Sequence, residues 1–411
     1  MKVLCKIALA IIGVITCCLL ATNLLSFHFP RPTGPFGVGT YTQDLTSSHQ
    51  QESHITHQNN EPRKIVIQFW YPTTQKKNIA DNPWAPDFIA CLKKENFLYR
   101  LFGLDNILTF AQTDAPLAHN QAPYPIVLYS HGLGIGIRDD NTALCEELAS
   151  NGYIVVGISH PYASYVVRFQ DGHEIFNAIH TETLSYKERQ ELAAREIDIW
   201  TADSQDVINY LEKLYETQND NIFFKALDLN NIGALGHSFG GATAAQLCRR
   251  DSRCKAGINM DGKLYGFQPT APFHKPFMFL LASESLDNSK PLSEDEIVQR
   301  YQTKENYDES WKMHVQGFDQ LAQAIGKDAY KIIINGAGHG AFSDFALLKY
   351  HSLISRYFVD LGTGSLDGRR SHEIVKVYVC DFFDTYLKNK KSLLFREQRS
   401  PYSEVAIQQW K

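Results

Sequence analysis

Nothing in this chain is spaced to hold a metal. No C-x-x-C pair and no H-x-x-x-H pair occurs, so neither a zinc ribbon nor a helical metalloprotease site is expected. A surplus of positive charge is missing too. The 40 Lys and Arg residues are outnumbered by 45 Asp and Glu, for a net charge of −5 and a pI near 6.3. The basic residues are scattered rather than striped, which excludes nucleic acid as a partner. There is no internal repeat, so a solenoid is excluded. Beyond about residue 30 no Pro/Gly/Ser-rich stretch divides the chain, so residues 28–411 are expected to form one domain.

Long apolar runs are equally scarce. The exception is Ile7 to Ala21, preceded by the basic Lys2 and Lys6. Residues 1–27 therefore read as a signal peptide or as a retained membrane anchor. No A-x-A cleavage site follows, and Thr16 suits a lipidated Cys17 poorly. Either reading leaves the basic end inside and puts the globular domain outside the cytoplasm, periplasmic, secreted or membrane-anchored. Mass spectrometry of the exported protein's N-terminus separates the two: a start near residue 28 means cleavage, a start at Met1 an anchor. Five cysteines lie beyond this segment, namely Cys91, Cys145, Cys248, Cys254 and Cys380. An odd number leaves one unpaired. Cys248 and Cys254 are close enough for a local disulfide in an oxidising compartment, with two buried thiols as the alternative. His49, His54 and His57 fall in the polar stretch Ser47 to Glu61, read as an exposed loop.

What is present is a large apolar fraction, 44%, enough for a substantial core. Short β-branched and aromatic runs recur. Gly37–Asp44 and Lys64–Pro72 read as a strand pair after a linker containing Pro30, Pro32, Gly34 and Pro35. Further strands are expected at Pro125–Ser130, Ile154–His160, Ile232–Gly236, Ala256–Met260, Pro276–Leu281 and Tyr330–Asn335. Val166–Phe176 reads as a hairpin turning at Asp171-Gly172. Helices are expected over Asn141–Ser150, Glu188–Glu216 and about Arg370–Leu387. Ile197, Ile208, Leu211 and Leu214 share one face of the long helix. Trp84, Phe88 and the aromatics from Phe97 to Phe102 form either a helix packed on the core or an apolar lip around a pocket. Uniformly apolar strands alternating with helices indicate an α/β fold: a mostly parallel central sheet with helices on both faces.

The most informative stretch is Ile232-Gly-Ala-Leu-Gly-His-Ser-Phe-Gly-Gly-Ala-Thr243. Gly236-x-Ser238-x-Gly240 is the pattern of a nucleophile elbow, a sharp strand-to-helix turn with the serine at its apex. Gly241, Ala242, Ala244 and Ala245 suit a helix packed close beneath it. A serine hydroxyl needs an imidazole base, an acid to orient it, and two N–H donors for an oxyanion. On such sheets the chain order is serine, acid, histidine. His339, on a glycine-rich loop past the last strand, is the base expected. His351 and His372 lie on apparent helices. His131, His160 and His237 are expected to hold loops or line the site. The residues leave the acid open between Asp261 and the pair Glu284 and Asp287, since each follows a strand at the sheet's carboxyl edge. The amides of Phe239, which follows the serine, and of Leu133, in His131-Gly-Leu-Gly134, are the expected oxyanion donors.

Five stretches carry a family resemblance: Pro32-Thr-Gly-Pro-Phe-Gly-Val-Gly-Thr40, Tyr129-Ser-His-Gly-Leu-Gly134, Gly236-His-Ser-Phe-Gly-Gly-Ala-Thr243, Asn259-Met-Asp-Gly262 and Gly338-His-Gly-Ala-Phe-Ser-Asp-Phe345. The chain resembles the platelet-activating factor acetylhydrolase family of α/β-hydrolases, the secreted-type, lipoprotein-associated phospholipases A2. The resemblance favours Asp261 as the acid, beside Ser238 and His339. It implies calcium-independent cleavage of short or oxidised sn-2 acyl chains, with no cofactor and no metal. The expected partners are a lipid or small ester substrate and a membrane surface. Two features depart from the family: a long polar segment, Glu284 to Ala324, and a C-terminal helix with Arg369 and Arg370 that is similar to bacterial-type esterases. A broad carboxylesterase, lipase or polyester hydrolase is the alternative activity. A non-catalytic binding protein on the same fold is the alternative of another class.

Overall fold

A computed structural model of the chain describes residues 13, 26–54, 61–95, 104–218, 221–265, 274–286, 292–349, 362–395 and 400–410. The expected N-terminal signal or anchor, His57, the aromatics from Phe97 to Phe102, Asp287 and His351 lie outside the described residues. No helix among those described is long and apolar enough to cross a membrane.

Ten strands of the described residues form one sheet: β1 Gly37–Gln51, β2 Pro62–Thr73, β3 Gln112–Thr113, β4 Tyr124–Ser130, β5 Ile154–Ser159, β6 Leu227–His237, β7 Cys254–Met260, β8 Phe277–Ala282, β9 Ala329–Ile334 and β10 Val405–Gln409. Their spatial order is β10-β9-β8-β7-β6-β4-β5-β2-β1-β3. The six from β9 to β5 run parallel, and β10 and β2 flank them antiparallel. The parallel strands are apolar on both faces because both faces are covered. In β4, Ile126 and Leu128 enter one core, and Val127 and Tyr129 the other.

The larger helices are α1 Pro86–Glu95, α2 Thr142–Ser150, α3 Tyr186–Thr217, α4 Phe239–Arg250, α5 Glu294–Tyr301, α6 Lys304–Ile325 and α7 Gly368–Leu387. Helices α3, α4 and α6 cover one face, and α2 and α7 the other. Ser185 starts α3 through a capping box with Glu188. The stripe Ile197, Ile208, Leu211 and Leu214 is buried as its spacing predicts, and Trp200 and Val207 join it. The Val166–Phe176 hairpin forms, turning at Gly172 with φ 87°. Trp84 is fully buried against Phe29, Phe88 and Phe345, so this part of the aromatic segment packs on the core.

Two expectations need correction. The polar stretch after Ser47 is no exposed loop at its start: β1 continues to Gln51, and His54 is held between Glu52 and Glu196, 2.9 Å from each. The Pro30–Pro35 segment is no free linker, because Thr33 and Gly34 donate to Glu147 and Ser150 of α2 at 2.9 and 3.1 Å. The polar segment from Glu284 folds largely as α5 and α6, amphipathic helices whose polar faces hid them from a search for apolar runs. Cys248 and Cys254 are joined as a disulfide, and Cys91, Cys145 and Cys380 are free.

A buried ionic cluster ties β2 to α3. Arg63, 1% exposed, meets Asp203 at 2.7 Å through Nε and at 2.9 Å through Nη2, and Glu52 at 3.0 Å. Burial alone would raise the Asp203 carboxyl, but Arg63 and His160 outweigh it and hold it well below the usual range. Asp203→Ala would leave a buried guanidinium with only Glu52. We expect a loss of about 3 kcal/mol in denaturant unfolding. Burial lowers the His54 pKa, but the bonds to Glu196 and Glu52 outweigh it and raise that pKa to about 9. Its stabilisation is complete below an ordinary histidine pKa of about 6.5 and is lost as pH rises through about 9. Unfolding free energies at the two ends of that window should differ less in His54→Gln than in the wild type.

Candidate active site

Ser238 stands between β6 and α4 with φ 55° and ψ −120°, a conformation hostile to any side chain. Its N–H donates to the Met260 carbonyl at 2.8 Å, which fastens the turn to β7. The flanking glycines leave no room for substitution. A Cβ at Gly236 would strike the backbone of Gly240, and one at Gly240 the carbonyl of Ser130. The pattern read in the sequence is therefore a steric requirement: strand, turn and helix touch backbone to backbone.

The imidazole of His339 lies between the serine and a carboxylate. Its Nε2 is 2.9 Å from Ser238 Oγ, and its Nδ1 is 2.7 Å from Asp261 Oδ2. Asp261 follows β7 directly, also in the left-handed region with φ 54°. Asn259 closes that turn: its amide donates to the Gly262 carbonyl at 2.9 Å and accepts from the Gly262 N–H at 2.7 Å. The remaining lone pairs of the Asp261 carboxylate accept from Ala282 N–H at 2.9 Å and Ser285 Oγ–H at 2.6 Å. The carboxylate is buried and the imidazole half-exposed. His339 opens a short helical turn after β9, and His237 Nε2–H donates to its carbonyl at 2.9 Å. Burial, then the neighbouring His339, pushes the His237 pKa down to about 3, so this donor stays neutral.

The loop after β4 is braced from below. His131 Nδ1–H donates to the Gly132 carbonyl at 2.7 Å, and its Nε2 accepts from Ser164 Oγ at 2.7 Å. Burial, then His160, lowers its pKa to about 3. His160 stacks on Trp200 and links Asp203 at 2.8 Å to Ser130 at 3.1 Å. These histidines hold the floor of the site rather than line it. In a trans peptide the Leu133 N–H points opposite to the Gly132 carbonyl, so the His131 bond sets the direction of that N–H.

A cavity of about 500 Å³ opens above the serine, lined by Leu133, Phe239, Lys263, Tyr301, Trp311 and His314 among others. Of the residues expected from sequence, Ser238, Asp261, His339, Leu133 and Phe239 all meet there. Glu284 lines the same cavity, but Asp261 holds the imidazole. His372 sits on α7 and does not line it. Sequence reasoning missed Ser285, although it lies beside Glu284, because attention went to the carboxylates. It also missed the wall from α5 and α6, whose facing is set only by how those helices dock.

Fold and site together define an α/β-hydrolase with a serine, a histidine and an aspartate joined in one hydrogen-bonded line. The family model described as platelet-activating factor acetylhydrolase, isoform II, matches residues 22–397, and the chain belongs to this family. A probable 1-alkyl-2-acetylglycerophosphocholine esterase of Arthroderma benhamiae is 26% identical over 96% of this chain and 98% of its own length. The platelet-activating factor acetylhydrolase of Cavia porcellus is 28% identical over 59% of this chain and 57% of its own. Among solved structures, a ferulic acid esterase from Streptomyces cinnamoneus shares the fold with a TM-score of 0.69 at 23% identity, over 93% of this chain and 99% of that one.

Gly240→Ala tests the steric basis of the turn. The added methyl has nowhere to go but the Ser130 backbone. We expect a destabilisation of about 3 kcal/mol, at the upper end of overpacking effects, seen as a lowered thermal midpoint.

Proposed function

We propose that the protein is a serine ester hydrolase that removes short or oxidised sn-2 acyl chains from phospholipids. The observation that carries this is the continuous line from Ser238 Oγ through the His339 imidazole to Asp261, 2.9 and 2.7 Å long. The names borne by the relatives, a 1-alkyl-2-acetylglycerophosphocholine esterase and a platelet-activating factor acetylhydrolase, support a short-chain phospholipid ester as substrate.

Ser238 Oγ attacks the ester carbonyl while His339 Nε2 takes its proton. Asp261 keeps Nδ1 protonated, so that Nε2 is free to accept, and stabilises the imidazolium that forms. The oxyanion is met by the N–H groups of Leu133 and Phe239, the second at the positive end of α4. Collapse expels the sn-2 hydroxyl of the lysolipid, protonated by His339. Water then repeats the sequence on the acyl-serine, with His339 as base again. Residues 28–411 work as one exported domain, and the cavity mouth takes its lipid from a membrane or lipoprotein surface.

Ser238→Ala should fold with an unchanged thermal midpoint and hydrolyse a 2-acetyl phospholipid at no more than about one part in a thousand of the wild-type rate. It should also lose labelling by a fluorophosphonate. Undiminished turnover in this variant would remove Ser238 from the mechanism. A wild type left unlabelled would instead mark a binding protein. Turnover of soluble nitrophenyl esters without turnover of the phospholipid would mark a broad carboxylesterase.

A further inference from the structure

Several cations among the described residues are ion-paired. Lys331 meets Asp319 at 3.0 Å, Arg253 meets Asp251 at 2.6 Å and Arg370 meets Glu404 at 2.8 Å. Two cations lining the cavity over Ser238 differ. Among the described residues, no carboxylate lies within ion-pair distance of Lys263 or Arg300. Lys263 stands two positions past Asp261 and is half-buried, while Arg300 is exposed near the end of α5. Both backbones are anchored. The Lys263 carbonyl accepts the Tyr265 N–H at 3.0 Å, and the Arg300 carbonyl accepts from the Arg189 side chain.

Other ionisable groups line the cavity as well. Asp261 is committed to His339, Ser285 and Ala282. Glu284 lines the same cavity, its N–H bonded to the Ala337 carbonyl of the His339 loop at 3.3 Å. His314 is neutral, because burial, then Lys263, lowers its pKa to about 4. Lys263 and Arg300 thus line the cavity over the Ser238 hydroxyl without an ion pair among the described residues, although Arg300 stands near enough to Glu296 of its own helix to help lower that carboxyl's pKa. A half-buried cation such as Lys263, with no ion-pair partner, is poised for an anion brought by a ligand, and the exposed Arg300 can reach the same anion.

We propose that Lys263 and Arg300 form an anion subsite that selects esters carrying a negative group near the scissile bond. The inference rests on the ester-hydrolase reading above. In a glycerophospholipid the phosphate sits on the carbon next to the one bearing the sn-2 ester, so an ester carbonyl at Ser238 brings the phosphate to the same cavity. An oxidised acyl chain ending in a carboxylate offers the same chemistry from the other side of the bond.

The test compares matched substrates on the wild type and on the double variant Lys263→Gln, Arg300→Gln. The first pair is 1-alkyl-2-acetyl-glycerophosphocholine and 1-alkyl-2-acetylglycerol, which lacks the phosphate. The second is a phosphocholine lipid with a glutaroyl or a butyroyl sn-2 chain. The ratio of kcat/KM within a pair is the readout. We expect one ratio to fall about tenfold, the effect of losing a charge-assisted contact, mainly through KM, and Lys263→Arg to retain it. A fall in the first pair assigns the anion to the phosphate, and a fall in the second to the chain end. Unchanged ratios in both pairs overturn the proposal. Should the double variant misfold, added salt should erode the wild-type preference, and a salt-independent ratio overturns it equally. A wild type that hydrolyses none of the four esters and takes no fluorophosphonate refutes the hydrolase reading instead.

Discussion

The hydroxyl of Ser238 reaches an imidazole only because its own backbone is kept where side chains seldom go. A left-handed residue of this kind stores about 1–3 kcal/mol, which the surroundings must offset. Here they do so by contact. The backbone of Gly240 lies against Ser130, that of Gly236 against Gly240, and the Ser238 N–H is tied to Met260. Strands β4, β6 and β7 are neighbours in the sheet, so the strain is spread over three elements that cannot move independently. The rest of the site is arranged around that fixed point.

The second half of the constellation repeats the device. Asp261 also sits at positive φ, and Asn259 clamps the turn on both sides. Its carboxylate is saturated by Ala282, Ser285 and His339, so the acid is oriented before any substrate arrives. Asp344, just past the His339 loop, accepts from Thr142 N–H at 2.6 Å and Trp84 Nε1–H at 3.2 Å. It caps α2 from across the fold and fastens the histidine loop to the core on that side. Beneath the loop of Gly132 and Leu133, the Arg63–Asp203–His160 chain ends on Ser130, one residue before His131. A buried ion pair of this sort adds little net stability, but it sets the position of a loop whose peptide direction matters.

The hydrogen-bonded line of Ser238, His339 and Asp261 and the walls of the cavity come from different parts of the chain. Ser238, Asp261 and His339 lie past the ends of parallel strands, on short turns with almost no freedom. The cavity walls come from α5 and α6, inserted between β8 and β9, and from the turn after Asp261. Such insertions can be exchanged without disturbing the sheet, which is how one fold serves many esters. The unpaired Lys263 and Arg300 belong to this variable layer.

The sequence by itself determined the α/β class, the order of the strands along the chain, the elbow and its serine, and the candidate histidine. Each rests on local physics: apolar runs of strand length, glycines where backbones must touch, a glycine-rich loop after the last parallel strand. The choice of Asp261 over Glu284 rested on resemblance, and only the tertiary structure decided it by contact, because both carboxylates follow adjacent strands and arrive at one cavity. Tertiary structure also decided the antiparallel β10, the docking of the Pro30–Pro35 segment on α2, and the reach of β1 to Gln51. None of these has a local signal, since each depends on a partner distant in the chain. The same holds for Ser285, Lys263, Arg300 and His314. A polar residue on an amphipathic helix or a turn reads as solvent-facing until the sheet it covers is known.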